Sequence, residues 1–394
     1  MGPLKIASVR AFELSFTFPP RAEPWTRPRR PAWVERAEVV TPMASYPRFK
    51  RLRASWRPRW PMVGCLVTAA DGTWGLGMST YGRPVAAIVN DHLGPLLVGE
   101  DCLAVEHAWD LMTRAASPYS PAGLASYAIS AIDLALWDLK GKLLGRPVYE
   151  LLGGPARDRI FCYATGNDTD WHLELGFRAT KPVCAHGPAD GLAGLAETEA
   201  LVARTRELVG PGVEVMLDCW MGFDVEYAVR LAERLRPHGL RWLEDCLTPE
   251  DLDAHVALRG RLPWQGLATG EHWYGVHPFA FAASRRLVDV LQPDVLWVGG
   301  ATATVRICHL AAAAGLAVIP HAGMNTPYGQ HLGLARSEIP WGEFFLGSSP
   351  GVPLEETVRL PGTAVPRDGY LVPSDAPGFG LEVTLDWLER AALV

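Results

Sequence analysis

The sequence predicts an α/β protein: a β/α-barrel preceded by a small α+β domain. Three observations carry that prediction. From about residue 158, short β-rich runs that end in a polar residue alternate with helix-like stretches. The runs from Asp218 onward end at 218, 244, 271, 294, 321 and 343, in steps of 26, 27, 23, 27 and 22 residues. Each step is the length of a strand, a helix and two loops. Before residue 150 the pattern differs, with apolar stretches first and helical periodicity after them.

Taken in order, Ile6 to Leu14 and Val63 to Ala69 read as strands, and Asp71-Gly72 reads as a hairpin turn into Thr73 to Ser79. Pro19 to Pro61, rich in Pro, Arg and Trp, has no periodicity and reads as long loops, a length usually tied to function. In Ser126 to Leu144, Ile129, Ile132, Leu136, Leu139 and Leu143 give a helix one apolar face, and Gly145 and Pro147 stop it. Eight strands follow: Ile160 to Ala164, Phe177 to Lys181, Val213 to Asp218, Leu240 to Glu244, Leu267 to Glu271, Val288 to Asp294, Ala317 to His321 and Trp341 to Phe345. A doubly wound open sheet would want a Gly-rich phosphate loop after the first strand, and Tyr163-Ala164-Thr165-Gly166-Asn167 is not one. The tail from about Pro361 is Pro/Gly-rich and is expected to pack back on the N-terminal domain. The expected division is 1–150, 151–360 and 361–394.

Bulk properties narrow the function classes. The 394 residues are too many for one ordinary core. A net charge of -6 excludes the basic footprint of a nucleic-acid binder or a polybasic membrane patch. Seven cysteines without a C-x-x-C pair point to free thiols in a reducing compartment. Met1 to Phe18 is too evenly mixed for a signal peptide, and the apolar run Leu310 to Pro320 is too short to span a bilayer. A cytoplasmic location is expected.

In a β/α-barrel the side chains at the C-terminal strand ends converge on one cavity. Those side chains here are Lys181, Asp218, Glu244, Glu271, Asp294, His321 and Glu343, one ionisable residue at each end from the second to the eighth. Asp218, Glu244 and Glu271 sit on consecutive strands. Each alone reads equally as a helix cap or a salt-bridge partner; together they would repel unless a hard dication relieved them, and all-oxygen ligation suits Mg²⁺ over Zn²⁺. Asp294 and His321 end neighbouring strands, and an aspartate on one imidazole nitrogen raises the basicity of the other, which makes His321 a candidate general base. A metal facing a base suits removal of a proton α to a carboxylate. Lys181 and a protonated Glu343 would join the metal in stabilising the resulting charge. His272 would point near the cavity, either as a substrate donor or as a packed neighbour. A zinc amidohydrolase would want H-x-H on the first strand, which is absent.

The segment Ser130-Ala131-Ile132-Asp133-Leu134-Ala135-Leu136-Trp137-Asp138-Leu139-Lys140-Gly141 resembles the signature of the mandelate racemase branch of the enolase superfamily. Tyr163-Ala164-Thr165-Gly166, His186-Gly187-Pro188-Ala189-Asp190-Gly191, Met216-Leu217-Asp218-Cys219-Trp220-Met221, Thr269-Gly270-Glu271-His272, Gln292-Pro293-Asp294-Val295, Val318-Ile319-Pro320-His321 and Pro377-Gly378-Phe379-Gly380 resemble the L-rhamnonate dehydratases within it. The resemblance implies a (β/α)7β-type TIM barrel whose N-terminal α+β capping domain is completed by the C-terminal tail. It implies Mg²⁺ on Asp218, Glu244 and Glu271, and His321 paired with Asp294 as base and as proton donor to the departing hydroxyl. Lys181, His272 and Glu343 would contact the substrate carboxylate or nearby groups, Arg53 would close over the substrate, and Trp33 would line it. It also implies a homo-oligomer, often an octamer. The chain departs from the family where Ala32, not histidine, precedes Trp33, and in the insert Trp25 to Pro31; such loops choose the substrate.

Two-base racemases of the superfamily carry a second lysine two positions after the first, where this chain has Val183. One base on one face favours elimination of water from a sugar acid, giving a 2-keto-3-deoxy acid, with L-rhamnonate or L-lyxonate-like substrates expected. A racemase or epimerase, and a barrel that binds a sugar acid without catalysis, are the alternatives.

Overall fold

The computed structural model describes residues 4–15, 28–50, 55–357 and 359–392. Its N-terminal part is an antiparallel sheet, β1 (Ile6–Leu14), β2 (Met62–Ala69) and β3 (Trp74–Ser79), in that order. The expected turn joins β2 to β3: Asp71 Oδ1 accepts the Thr73 amide at 2.9 Å, and Gly72 takes a φ of +88° that a side chain would resist. Within the stretch read as loop lie a short helix, Trp33–Arg36, and a 3₁₀ turn, Pro42–Ser45, capped by the Thr41 hydroxyl.

The helix Leu124–Leu144 packs on this sheet. It was expected to show one apolar face, yet it is buried almost all round. The sheet covers one side so closely that a Cβ at Gly77 would lie 1.9 Å from the Ala131 carbonyl oxygen and one at Gly75 2.1 Å from that of Ala135. The loop after the sixth barrel strand covers the other side, which explains why Ser126, Ser130 and Asp133 are buried on a helix so rich in Ala and Leu. Asp138 is fully used. It accepts the Leu76 and Phe379 amides, each at 3.0 Å, and the Lys142 ammonium at 2.6 Å, so one carboxylate ties helix, β3 and tail.

The barrel strands are β4 (Ile160–Thr165), β5 (Ala179–Lys181), β6 (Glu214–Val215) with β7 (Leu217–Asp218), β8 (Leu243–Glu244), β9 (Leu267–Thr269), β10 (Val290–Leu291), β11 (Ala317–Val318) and β12 (Trp341–Phe345). β6 and β7 form one strand interrupted at Met216, whose amide donates to Thr180 while Leu217 donates to Trp242. Parallel ladders run from β12 through β4 and β5 to β6, and from β7 through β8, β9 and β10 to β11. The seam between β11 and β12 carries no ladder; the Val318 amide crosses it to the Glu338 carbonyl at 2.9 Å. Helices follow the first seven strands: Thr169–Glu174, Gly191–Val209, Val225–Leu235, Leu252–Arg261, His277–Arg285, Gly300–Ala314 and Pro327–Ala335. No barrel helix follows the eighth among the described residues, which is the (β/α)7β form. No helix there is long and apolar enough to cross a membrane.

Several strands are shorter than the apolar runs suggested. Asp294 and His321 follow Pro293 and Pro320, which have no amide to extend a ladder, and Glu271 follows Gly270 at φ +135°. The tail pairs back on the N-terminal part as expected: Leu14 bridges Ala392, and Val148 donates to the Gly378 carbonyl. It also touches the barrel, where β13 (Tyr370–Leu371) runs antiparallel to β4.

Two buried histidines make the fold acid-sensitive. Burial lowers the pKa of His172 to about 3 and of His331 to about 4, and in both the Nε2 atom is buried without a partner among the described residues. Unfolded, each titrates near its ordinary 6.5, so between there and the folded value the unfolded chain binds more protons. The neutral-histidine contribution is therefore intact above pH 6.5 and lost as pH falls, by about 3 kcal/mol per residue at pH 4.5. His172→Gln and His331→Gln should each flatten the fall of melting temperature between pH 6.5 and 4.5. Slopes parallel to the parent's would refute this.

Candidate active site

The barrel places all seven ionisable strand-end residues at one end of the molecule and buries six of them, leaving only His321 partly open. Lys181, at the end of β5, is wholly buried between two carboxylates. Its ammonium bonds Glu244 Oε1 and lies 2.8 Å from Glu343 Oε1. Burial alone would favour the neutral amine, but Glu244 and Glu343 outweigh it and hold the pKa well above that of ordinary lysine.

Glu343, expected to be protonated, is ringed by donors here. Burial pushes its pKa up, while Lys181 and His321 pull it down. It accepts from the Thr165 hydroxyl at 2.5 Å and from the Ala322 amide at 2.9 Å. These donors favour the carboxylate over the acid in this structure.

Asp218 and Glu244 lie side by side on β7 and β8. Burial raises Asp218 to about 6 and Glu244 to about 8, against the pull of Lys181 and with repulsion from neighbouring carboxylates. Glu244 Oε2 accepts from Trp242 Nε1 at 2.9 Å and Gln292 Nε2 at 2.7 Å. Glu271 accepts from Trp220 Nε1 at 3.2 Å. Such strained anions fit a hard dication, whose charge would make ionisation favourable. The structure turns Glu244 toward Lys181, however. Asp245, Glu271 and His272 bring one potential ligand atom each within 4.8 Å of one another.

His321 and Asp294 form the expected pair, Nδ1 to Oδ2 at 2.8 Å, and Asp294 Oδ1 accepts the Leu296 amide at 2.7 Å. The other nitrogen, Nε2, faces Glu271 Oε2 at 3.2 Å. Burial lowers the imidazole pKa, but Glu271 and Asp294 more than offset it and raise it to about 10. The arrangement is a histidine oriented by one carboxylate and directed at a second.

With this geometry in view, residues 56–153 match the mandelate racemase/muconate lactonizing enzyme N-terminal domain, and residues 169–387 the enolase C-terminal domain-like family. The chain belongs to the mandelate racemase branch of the enolase superfamily. An L-rhamnonate dehydratase of Saccharopolyspora erythraea is 40% identical over 89% of this chain and 90% of its own. The crystal structure of L-rhamnonate dehydratase from Gibberella zeae superposes with a TM-score of 0.89 at 30% identity, covering 100% of this chain and 97% of that one. The Gibberella zeae enzyme complexed with Mg gives 0.90 at 29%, with the same coverage.

Within this enolase-superfamily chain, one buried acid escaped the sequence reading. Asp245 bonds His272 Nδ1 at 3.2 Å and accepts the Thr269 hydroxyl at 2.6 Å. It directly follows Glu244 and enters the site because its φ of +50° turns the chain, which nothing in the residue order announces. Trp220 is a second omission; it stands two residues after the candidate ligand Asp218, and that nearness was the available signal.

The capping loop crosses the barrel mouth. The Arg30 guanidinium bonds Asp168 at 2.9 Å and Asp170 at 2.5 Å, both just after β4, and the Trp33 amide donates to Asp168. Trp33 Nε1 donates to the Leu346 carbonyl at 2.7 Å, so only its ring remains for a substrate. Arg53 lies outside the described residues. A cavity of about 490 Å³ beside the end of β12, lined by Ala32, Glu35, Phe345, Ser348 and Arg359 among others, contains none of the seven strand-end residues.

The Arg30 pairs are partly exposed, so they contribute roughly 1 kcal/mol or less to global stability while fixing the loop locally. Arg30→Met should leave the melting temperature nearly unchanged and speed amide exchange across residues 30–37. Unchanged exchange there would show that the Trp33 contacts alone hold the loop.

Proposed function

We propose that this chain is a Mg²⁺-dependent hydro-lyase that dehydrates a sugar acid to a 2-keto-3-deoxy acid. The observation that carries the reading is the asymmetry of the site. His321, its imidazole oriented by Asp294, is the group placed to take a proton. Lys181 is held charged between Glu244 and Glu343, and where a second lysine would stand Val183 is buried. Inversion of a stereocentre needs a proton acceptor on each face; elimination needs only one.

Asp218, Glu244 and Glu271 would hold the metal. Bound there, Mg²⁺ supplies positive charge that stabilises the negative charge developing on the substrate's carboxylate oxygens. A cation held by Glu271 would cancel the pull that raises the His321 pKa; the neutral Nε2 then removes the proton from C2, with Asp294 fixing the tautomer and stabilising the imidazolium. The electron pair released at C2 forms the C2–C3 double bond as the C3–O bond breaks. His321 returns its proton to the departing hydroxyl, water leaves, and the enol tautomerises to the keto acid. The Lys181 ammonium adds fixed positive charge behind the carboxylate end, and His272, oriented by Asp245, offers a contact to a hydroxyl.

L-rhamnonate, or L-lyxonate with a related configuration, is the substrate we favour. Support comes from the relatives named above, while Ala32 and the Trp25 to Pro31 insert mark where this chain would differ. Residues 1–150 would cap the site, 151–360 carry out the chemistry, and 361–394 lock cap to barrel. Seven free, buried cysteines suit a cytoplasmic enzyme, and the family resemblance favours a homo-oligomer.

The decisive assay incubates sugar acids with the protein and Mg²⁺ and measures 2-keto acid. L-rhamnonate or L-lyxonate should give product, and EDTA should abolish it. His321→Asn should lower turnover by about 10²–10⁴-fold and leave the circular dichroism unchanged. Substantial turnover by that variant removes His321 as the base. Solvent deuterium at C2 of recovered, inverted substrate, with no keto acid, would replace dehydration by epimerisation.

A further inference from the structure

The helix that carries the family signature is far from the reacting groups in sequence, yet its buried Ser126, Ser130 and Asp133 converge on one loop. Ser126 Oγ donates to the Trp297 carbonyl at 2.6 Å, and Gly299 donates to Ser130 Oγ at 2.8 Å. Asp133 accepts the Thr302 amide at 3.0 Å and its hydroxyl at 2.6 Å, and Trp137 Nε1 donates to that same hydroxyl at 2.9 Å. From elsewhere in the cap, Ser79 Oγ donates to the Leu296 carbonyl at 2.6 Å and Trp109 Nε1 to the Gly299 carbonyl at 2.8 Å. The approach is so close that a Cβ at Gly300 would lie 2.3 Å from an Asp133 oxygen. The clamped loop begins at Asp294, the partner of His321.

Within that loop, the amides of Trp297 and Val298 both donate to the Asp294 carbonyl, at 3.0 and 2.8 Å. This turn brings the Trp297 ring against the His321 imidazole, with centroids 5.1 Å apart at 41°, and against His272 at 5.9 Å. Behind it, the Tyr127 ring of the cap helix stacks on Trp297 at 5.8 Å and 28°. The indole N–H of Trp297 is buried and has no partner among the described residues, so no hydrogen bond of its own fixes the ring. Its place is set by the backbone clamp and by Tyr127.

We propose that Trp297 is a positioning residue for His321, and that the cap sets its place through Ser126 and Tyr127. The proposal rests on His321 being the base. Asp294 fixes one nitrogen of the imidazole but leaves the ring free to swing about that bond. The Trp297 face removes that swing and keeps Nε2 on the line toward Glu271. The signature helix thus acts on the chemistry without touching it.

The test compares Trp297→Ala, Trp297→Phe and Ser126→Ala with the parent enzyme and His321→Asn. It uses L-rhamnonate, with and without deuterium at C2. Trp297→Ala should lower kcat about 100-fold, the usual cost of a misplaced group. KM and the calorimetric Kd for Mg²⁺ should stay near parental, and the isotope effect on kcat should grow as proton removal becomes limiting. Trp297→Phe, which restores an aromatic face, should recover most of the kcat. Should the alanine variant fail to fold, Ser126→Ala removes only the hydroxyl on the Trp297 carbonyl and should lower kcat on the order of fivefold with the same signature. Parental kcat in all three Trp297 and Ser126 variants, with His321→Asn inactive, overturns this proposal and leaves the base assignment standing. Loss of kcat, KM and Mg²⁺ affinity together, without rescue by phenylalanine, reduces Trp297 to a packing residue. An active His321→Asn ends both readings.

Discussion

The ammonium of Lys181, buried between Glu244 and Glu343, is the interaction around which the rest of the site is arranged. A lone cation there would be expelled by its desolvation cost, and two lone carboxylates would take up protons. Together they permit each other's ionisation in a place water does not reach. The pairing is not neutral, because Asp218, Glu271 and Asp294 stand close by. Burial, with repulsion among these carboxylates, pushes Glu244 and Asp218 upward in pKa, and Glu271 raises His321. The excess of negative charge is what a dication would meet. The protein thus stores, as a set of strained protonation equilibria, the attraction for the cation its chemistry needs.

The barrel alone does not hold this set in register. Its strands near the site are two or three residues long at β8, β9, β10 and β11, and the β11–β12 seam lacks a ladder. Short strands leave the end residues on loops, and loops need external support. The cap supplies it on one side through Ser79, Ser126, Ser130 and Asp133, and on the other through Arg30 and Trp33. Glycine at 75 and 77 permits it by letting the signature helix approach β3 at backbone distance. The cap is therefore as much the active site's scaffold as its cover.

Much of this was legible in the sequence, and the reason is periodicity. A barrel repeats one unit, so the steps between Asp218, Glu244, Glu271, Asp294, His321 and Glu343 expose both the architecture and the residues at its mouth. The fully buried helix was legible as a helix but not in its burial, because one apolar face and two buried faces differ only in what packs on the polar side. Ser126, Ser130 and Asp133 look like solvent-facing residues until the 294–302 loop is laid over them. The surroundings of Glu343 were not legible for a similar reason: the state of a carboxylate depends on its donors, and Lys181, Thr165 and Ala322 come from three separate segments.

Asp245 marks the deeper limit. Four non-glycine residues with positive φ, Trp220, Met221, Asp245 and Ala322, lie one to three residues after candidate metal or base residues. Left-handed backbone costs about 1 kcal/mol or more for such side chains, and a packed barrel end could have used glycine. The cost is offset by what each conformation places. Trp220 reaches Glu271, Asp245 reaches His272, and the Ala322 amide reaches Glu343. Met221 closes the turn by donating to the Asp245 carbonyl at 2.5 Å. Because the strain sits one to three residues past the chemistry, substituting glycine there would relieve the backbone while removing the side chains or the rigidity that aim the carboxylates. Stability and aim are opposed at these positions, and the chain keeps the aim.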